Sequence, residues 1–206
     1  MNRTAKRLAE ARLNGGAVSL VDLTEPATFE EAYAVQDEII RLLGHHIAGF
    51  KVGSTSKEAQ QILGTKEPGS CPVPVPYLHH SPAKISIFPE HYPAIEGECA
   101  FRLGRDLPAR SEAYTRDEVI DAIDAVAGAI EVVGTRIEGG VVGKGRYLVT
   151  ADSGANIELV VGDWTTDWQA LNLKTHRVAI TVNGETRGEG VGARALDDPM
   201  NVMIWL

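Results

Sequence analysis

Apolar residues recur at helical spacing over residues 3–13, up to an Asn-Gly-Gly stop, and again along "TFEEAYAVQDEIIRLLG", where Val35, Ile39, Leu42 and Leu43 form one stripe. Thr28 and Glu31 have the spacing of a capping box, and Gly44 supplies the stop. Two helices are therefore predicted, the stripe of the second serving packing. "IAGFKVG" (residues 47–53) reads as a short strand, and "SKEAQQILG" as a short helix with Ser54 and Ser56 ahead of it as caps and Gly64 as its end. "EPGSCPVPVPYLHHSP" is an extended, proline-punctuated connection, which places a boundary between an N-terminal α/β preface (residues 1–80) and a core (residues 81–206).

Beyond residue 84 the period changes from 3.6 toward 2. "KISIF" alternates, as does "AIEGECAF" (residues 94–101). "TRDEVIDAIDAVAG" reads as a helix capped by Thr115 and Glu118, with Val119, Ile120, Ile123 and Val126 facing inward. "AIEVVGTRI" is a β-branched run too apolar for a half-exposed strand. "RVAITVNGETRGEG" carries Asn183-Gly184, the signature of a type I′ turn between two strands. "DDPMNVMIWL" opens a further helix, with Asp197 or Asp198 as cap and Pro199 in the first position. Helices first, then mostly strands with one or two helices laid against them, predict an α+β class.

Composition narrows the function. The 206 residues are 44% hydrophobic, enough to bury a real core. Lys+Arg number 20 against Asp+Glu 28, a formal net charge of -8, with no basic stripe for a phosphate backbone, so nucleic acid is not the expected partner. No apolar run has the length of a membrane span and the N-terminus lacks a signal h-region, so a cytoplasmic protein is expected. Cys71 and Cys99 lie far apart with neither CxxC nor Cys/His spacing. Of the six histidines only His91, just ahead of the "AIEGECAF" strand, is a candidate for chemistry; the others read as loop.

The carboxylates stand out against this background. In a strand, Glu96 and Glu98 project side by side from one face. Two like charges so close call for a cation between them or for a proton on one. Glu131 sits in "AIEVVGTRI" between Ile130 and Val132, where an unpaired carboxylate costs several kcal/mol. If the two strands share a sheet or face each other, the three glutamates converge on one hard divalent ion, Mg²⁺ or Mn²⁺ before Ca²⁺, and Zn²⁺ is disfavoured. The alternatives are a solvent-facing edge for Glu96 and Glu98, and an ion pair of Glu131 with Arg136 or Arg102.

"GFKVGSTS", "IEGECAFRLGRDLP", "AIEVVGTRI", "TADSGAN" and "GEGVGARALDDPMNVMIWL" follow one another in an order and spacing that resemble the 2-keto-4-pentenoate hydratase and 4-oxalocrotonate decarboxylase group of the fumarylacetoacetate hydrolase superfamily. The resemblance covers nearly the whole chain. It implies a mixed β-roll on an N-terminal α/β preface, a homo-oligomer, and a Mg²⁺ or Mn²⁺ ion held by Glu96, Glu98 and Glu131. It also implies a small 2-oxo acid as substrate, chelated by the ion through its carboxylate and 2-oxo oxygen. Lys51 of "GFKVG" takes the place of an active-site lysine that anchors the substrate carboxylate or moves a proton. Ser153 and Asp152 of "TADSGAN" fall where hydratases line the pocket with an "ADNAS" type segment. Arg136 either holds a substrate carboxylate or pairs with an acidic neighbour, the second being favoured.

The chain departs from the group in three places. It reads Ser-Gly-Ala-Asn in "TADSGAN". It has Glu67-Pro68-Gly69 where hydratases carry Asp-aromatic-Gly, leaving Glu67 as the substitute catalytic carboxylate. It also lacks the strands that normally follow "WL" and complete the roll. The expectation is a metal-dependent hydratase acting on a dienoate such as 2-hydroxypenta-2,4-dienoate in aromatic catabolism. The alternatives are a 4-oxalocrotonate-type decarboxylase, an acylpyruvate hydrolase, or a non-catalytic subunit of a hetero-oligomer with a related enzyme.

Overall fold

The computed structural model describes residues 2–206. Its elements in chain order are α1 (Arg3–Asn14), α2 (Phe29–Leu43), β1 (Ile47–Gly53), α3 (Lys57–Leu63), β2 (Gly69–Pro74), β3 (Leu78–His80), β4 (Ala94–Leu103), α4 (Arg116–Ala122), β5 (Ile123–Val133), α5 (Arg146–Ala151), β6 (Asn156–Val161), β7 (Arg177–Val182), β8 (Glu185–Val191) and α6 (Pro199–Trp205).

Short polar side chains set the helix starts. The hydroxyls of Thr28, Ser56 and Thr115 accept from the backbone N–H three residues on, and Asp198 accepts from Met200 N–H ahead of α6. Thr115 and Glu118 form the full reciprocal box. The Glu31 carboxylate reaches one residue further back, to the N–H of Ala27. At the β7–β8 turn Asn183 and Gly184 both have positive φ, 53° and 83°, as a type I′ hairpin requires.

Four strands form the central sheet, in the order β3-β6-β5-β4; β3 runs parallel to β6 and the other neighbours are antiparallel. Two-stranded ladders, β1–β2 and β7–β8, stand beside it. The β7 strand presses on β4 at Gly97, where a Cβ would come 2.9 Å from Val178 Cγ1. One face of the central sheet carries Val126 and Phe101, packed with Val119 of α4, Trp168 and Met200 of α6. The opposite face carries Ala127, Ala129 and Val161, with Trp164 against them.

Two expectations change. The helix expected over residues 115–128 ends at Ala122, and Ile123 and Val126 belong to the 11-residue strand β5, because pairing with β4 along its whole length outweighs the local helical period. "KISIF" forms no strand; it runs as an unpaired connection between Pro82 and Pro89, with the Phe88 ring packed edge-on against His91. Across residue 80, β3 joins the sheet of the second half, and the cluster around Leu8, Val35 and Ile39 is completed by Ile137, Leu148 and Ala151. Among the described residues no helix is long and apolar enough to cross a membrane.

Candidate metal centre

Strand register brings the acids together. Glu96 of β4 lies directly opposite Glu131 of β5, and Glu98 opposite Ala129, so all three glutamates point from the same face. One oxygen from each lies within 4.8 Å of the others. Like charges in directly opposed positions destabilise a ladder. Glu131 is 1% exposed, whereas Glu96 opens to a cavity of about 600 Å³. Burial first, and the charge of Glu131 second, push Glu98 up to about 8. Burial also raises Glu96, with Lys51 opposing and Glu131 adding to the rise.

Among the described residues, Lys51 supplies the one positive charge in contact with the cage. Its Nζ stands 3.3 Å from Glu131 Oε1 and donates to the Gly154 carbonyl at 2.7 Å. Burial works against its charge, but Glu131, Cys71, Glu96 and Glu98 together hold its pKa above the ordinary value. Space for the ammonium comes from Gly53, where a Cβ would sit 2.8 Å from Nζ. Three carboxylates thus face one ammonium, with no His or Cys among the donors, a set that suits a hard cation taking oxygen ligands. Asn156, which sequence reasoning passed over although it ends "TADSGAN", donates from Nδ2 to Glu131 Oε1 at 2.9 Å and fixes that carboxylate.

The remaining sequence candidates lie elsewhere. Arg136 and Asp152 are bound to each other behind the cavity: Nε donates to Oδ1 at 2.7 Å, the Arg136 backbone N–H donates to Oδ2 at 2.9 Å, and the Thr135 hydroxyl donates to Oδ2 at 2.6 Å. Arg136 Nη1 donates to the Asn156 carbonyl and Nη2 to the Asp152 carbonyl. With its acceptors and donors so engaged, this pair fixes the turn from which Asn156 reaches Glu131, and neither residue lines the cavity. Ser153 is buried with positive φ and also stays off the cavity wall, which its neighbours Gly154 and Ala155 form instead. Glu67 is exposed on the loop before β2, outside the cavity. His91 is buried and hydrogen-bonded through Nε2 with the Gly16 carbonyl at 3.0 Å, a structural role.

No family model matches the chain. A 2-keto-4-pentenoate hydratase of Paraburkholderia xenovorans (strain LB400) is 32% identical over 209 residues, covering 98% of this chain and 75% of that protein. The 4-oxalocrotonate decarboxylase from Pseudomonas putida G7 complexed with calcium and acetate superposes with a TM-score of 0.80 at 25% identity, covering 98% of this chain and 76% of that one. The same enzyme complexed with magnesium and adipate gives 0.77 at 25% identity, with coverages of 98% and 77%. On the strength of this identity over nearly its whole length, the chain belongs to the 2-keto-4-pentenoate hydratase and 4-oxalocrotonate decarboxylase family.

Proposed function

We propose that the chain is a Mg²⁺- or Mn²⁺-dependent lyase that adds water to a short unsaturated 2-oxo or 2-hydroxy acid of aromatic catabolism, such as 2-hydroxypenta-2,4-dienoate. The observation that carries this reading is the convergence of Glu96, Glu98 and Glu131 on one sheet face, with the Lys51 ammonium 3.3 Å from Glu131, and with Glu96, Glu98 and Lys51 in the wall of a cavity of about 600 Å³. The three glutamates would hold the ion, which when bound supplies Lewis acidity toward a chelated 2-oxo acid. Lys51, tethered by Gly154 and Glu131, keeps a positive charge at the substrate carboxylate and a proton within reach of the reacting carbon chain. Asn156 holds Glu131 in the orientation that the cage needs. Ile95, Val133 and Val178 line the same cavity and limit water around the carbon chain.

A second reading, decarboxylation of a vinylogous 2-oxo acid of the 4-oxalocrotonate type, is favoured by the position of Glu67. A carboxylate exposed outside the cavity is badly placed to activate or protonate anything within it. Apolar surface at Ile47, Phe50 and Val75 supports an assembly of several copies, which the mass in solution tests.

The experiment that separates the two reactions follows loss of dienoate absorbance and release of CO₂ in parallel, with Mg²⁺ or Mn²⁺, with chelator, and in Glu98→Gln. Metal-dependent dienoate loss that disappears in the variant is the expected result. CO₂ release alone selects the second reading, and no turnover of either substrate by the metal-loaded protein contradicts both.

A further inference from the structure

Among the described residues, four buried side-chain atoms have no hydrogen-bond partner: Arg12 Nε, Arg146 Nε, Thr150 Oγ1 and Trp168 Nε1. Arg12 is otherwise satisfied, donating to the carbonyls of Asn156 and Ile157 at 2.9 and 2.8 Å. Arg146 belongs to the cavity of the cage; it donates to the Ser54 hydroxyl at 2.9 Å, and a Cβ on Gly69 would overlap its Nη2. Trp168 is the one of the four that borders a cavity away from the cage. It is 5% exposed, and its indole has a single polar atom, a donor, so the missing acceptor leaves it wholly unsatisfied at a cost of about 1–3 kcal/mol.

This second cavity, a cleft of about 400 Å³, is lined by the start of α4, the segment 168–174 and the first turn of α6. It shares no lining residue with the cavity of the cage, although α6 contributes to both: Pro199 lines the first, Asp198 and Met200 the second. Three charged side chains line the cleft. Asp198 is already balanced, because Oδ2 accepts from Arg116 Nη2 at 2.9 Å and Oδ1 accepts from the Met200 N–H at 2.9 Å. Arg116 and Asp198 thus cancel each other, and Arg116 Nη1 also donates to Asn201 Oδ1 at 3.0 Å. Lys174 is left over: it is exposed, and among the described residues no carboxylate pairs with it. Its backbone is fixed at the cleft by the Ala193 N–H, which donates to the Lys174 carbonyl at 2.7 Å. Asn172 spends its Oδ1 on the Thr175 N–H and keeps its amide donors. The cleft therefore holds one positive charge in excess, unspent donors, and no free carboxylate.

We propose that this cleft is a binding site for a small oxyanion, a carboxylate or a phosphate, received by the Lys174 ammonium and the Trp168 indole N–H. An oxyanion carries several acceptor oxygens on one charged group, so it answers a cation and a neutral donor at the same time. A cation would meet Lys174 with no free carboxylate to hold it. A neutral ligand, or water, satisfies the N–H and leaves the ammonium unanswered. In a chain with a formal net charge of -8, a concave site with an excess of positive charge is a local exception to the field of the whole molecule. The site needs neither the metal nor the reaction proposed above.

The test is proton–nitrogen correlation NMR of the full chain, whose three tryptophans give three indole N–H signals. Trp168→Phe identifies the Trp168 signal by its loss; should that variant fail to fold, backbone assignment of the wild type identifies it instead. Inorganic phosphate, butyrate and the neutral control butyramide are titrated in chelator, so that no metal-bound anion contributes. Phosphate or butyrate should displace the Trp168 signal saturably, with butyramide weaker by about tenfold or more, the worth of one charge-assisted hydrogen bond. Lys174→Gln, a change at an exposed position, should weaken the anion by about tenfold as well. The tighter of phosphate and butyrate names the source of the oxyanion. A Trp168 signal that stays still, or moves without saturating, overturns the proposal. Equal binding of butyramide overturns it too, as does an affinity unchanged in Lys174→Gln.

Discussion

Asp152 and Glu131 are each 1% exposed, and both sit beside a buried cation, yet the structure treats them differently. Asp152 accepts from the Arg136 side chain, the Arg136 backbone and the Thr135 hydroxyl, so its charge is balanced within the fold. Glu131 accepts one hydrogen bond from Asn156 and shares Lys51 with two more carboxylates that, among the described residues, have no cation of their own. Buried charge that the chain satisfies by itself is scaffold; buried charge left wanting marks a site.

The sharpest way to break this contrast is to cut the scaffold pair. Asp152→Ala leaves Arg136 as an uncompensated buried cation and should cost about 3–5 kcal/mol of stability, which for a chain of this length lowers the melting point by about 10 °C or more. Thermal melting checks it, and a loss of only a degree or two would show that the pair is not structural. At the cage the signs reverse. Glu98→Gln should reduce metal affinity and activity by about 100-fold or more while leaving the metal-free melting point unchanged or higher, since one of three mutually repelling carboxylates is gone. Asn156→Ala, which removes the side-chain donor that orients Glu131, should weaken metal binding by about tenfold, with titration of the ion as the readout.

A smaller effect concerns pH. Without a divalent ion, the folded protein keeps the Glu98 proton up to about 8, whereas the unfolded chain releases it near 4.5. Between those values the native state binds more protons than the unfolded one, so Glu98 contributes a stability that falls as pH rises through that window. Melting in chelator at pH 5 and pH 8 should show a drop that is smaller in Glu98→Gln. An equal drop in both proteins would assign it to other groups.

Much of the cage was legible before any coordinates, because two glutamates two positions apart in a strand share a face and Glu131 stood among β-branched neighbours. What the sequence could not supply was the register, which puts Glu96 opposite Glu131. "TRDEVIDAIDAVAG" carried a helical period past Ala122, and only the pairing of Ile123 onward with β4 turned it into strand. "KISIF" alternated as a strand should but has no neighbour to pair with, a fact of tertiary structure rather than of local pattern. Arg146 gave no local signal: it reads as an ordinary helix-start residue until Gly69, remote in sequence, is seen to clear its path. Asn156 was visible within "TADSGAN", yet its role depends on where β6 begins relative to Glu131.

The most direct test of the central claim is titration of Mn²⁺ into metal-free protein, followed by electron paramagnetic resonance. The account predicts one saturable ion per chain, an affinity about 100-fold weaker or more in Glu98→Gln, and no change in Glu118→Gln, whose exposed carboxylate is paired with Arg110 far along the chain from the cage. Absence of saturable binding, or binding that ignores Glu96, Glu98 and Glu131, would contradict it.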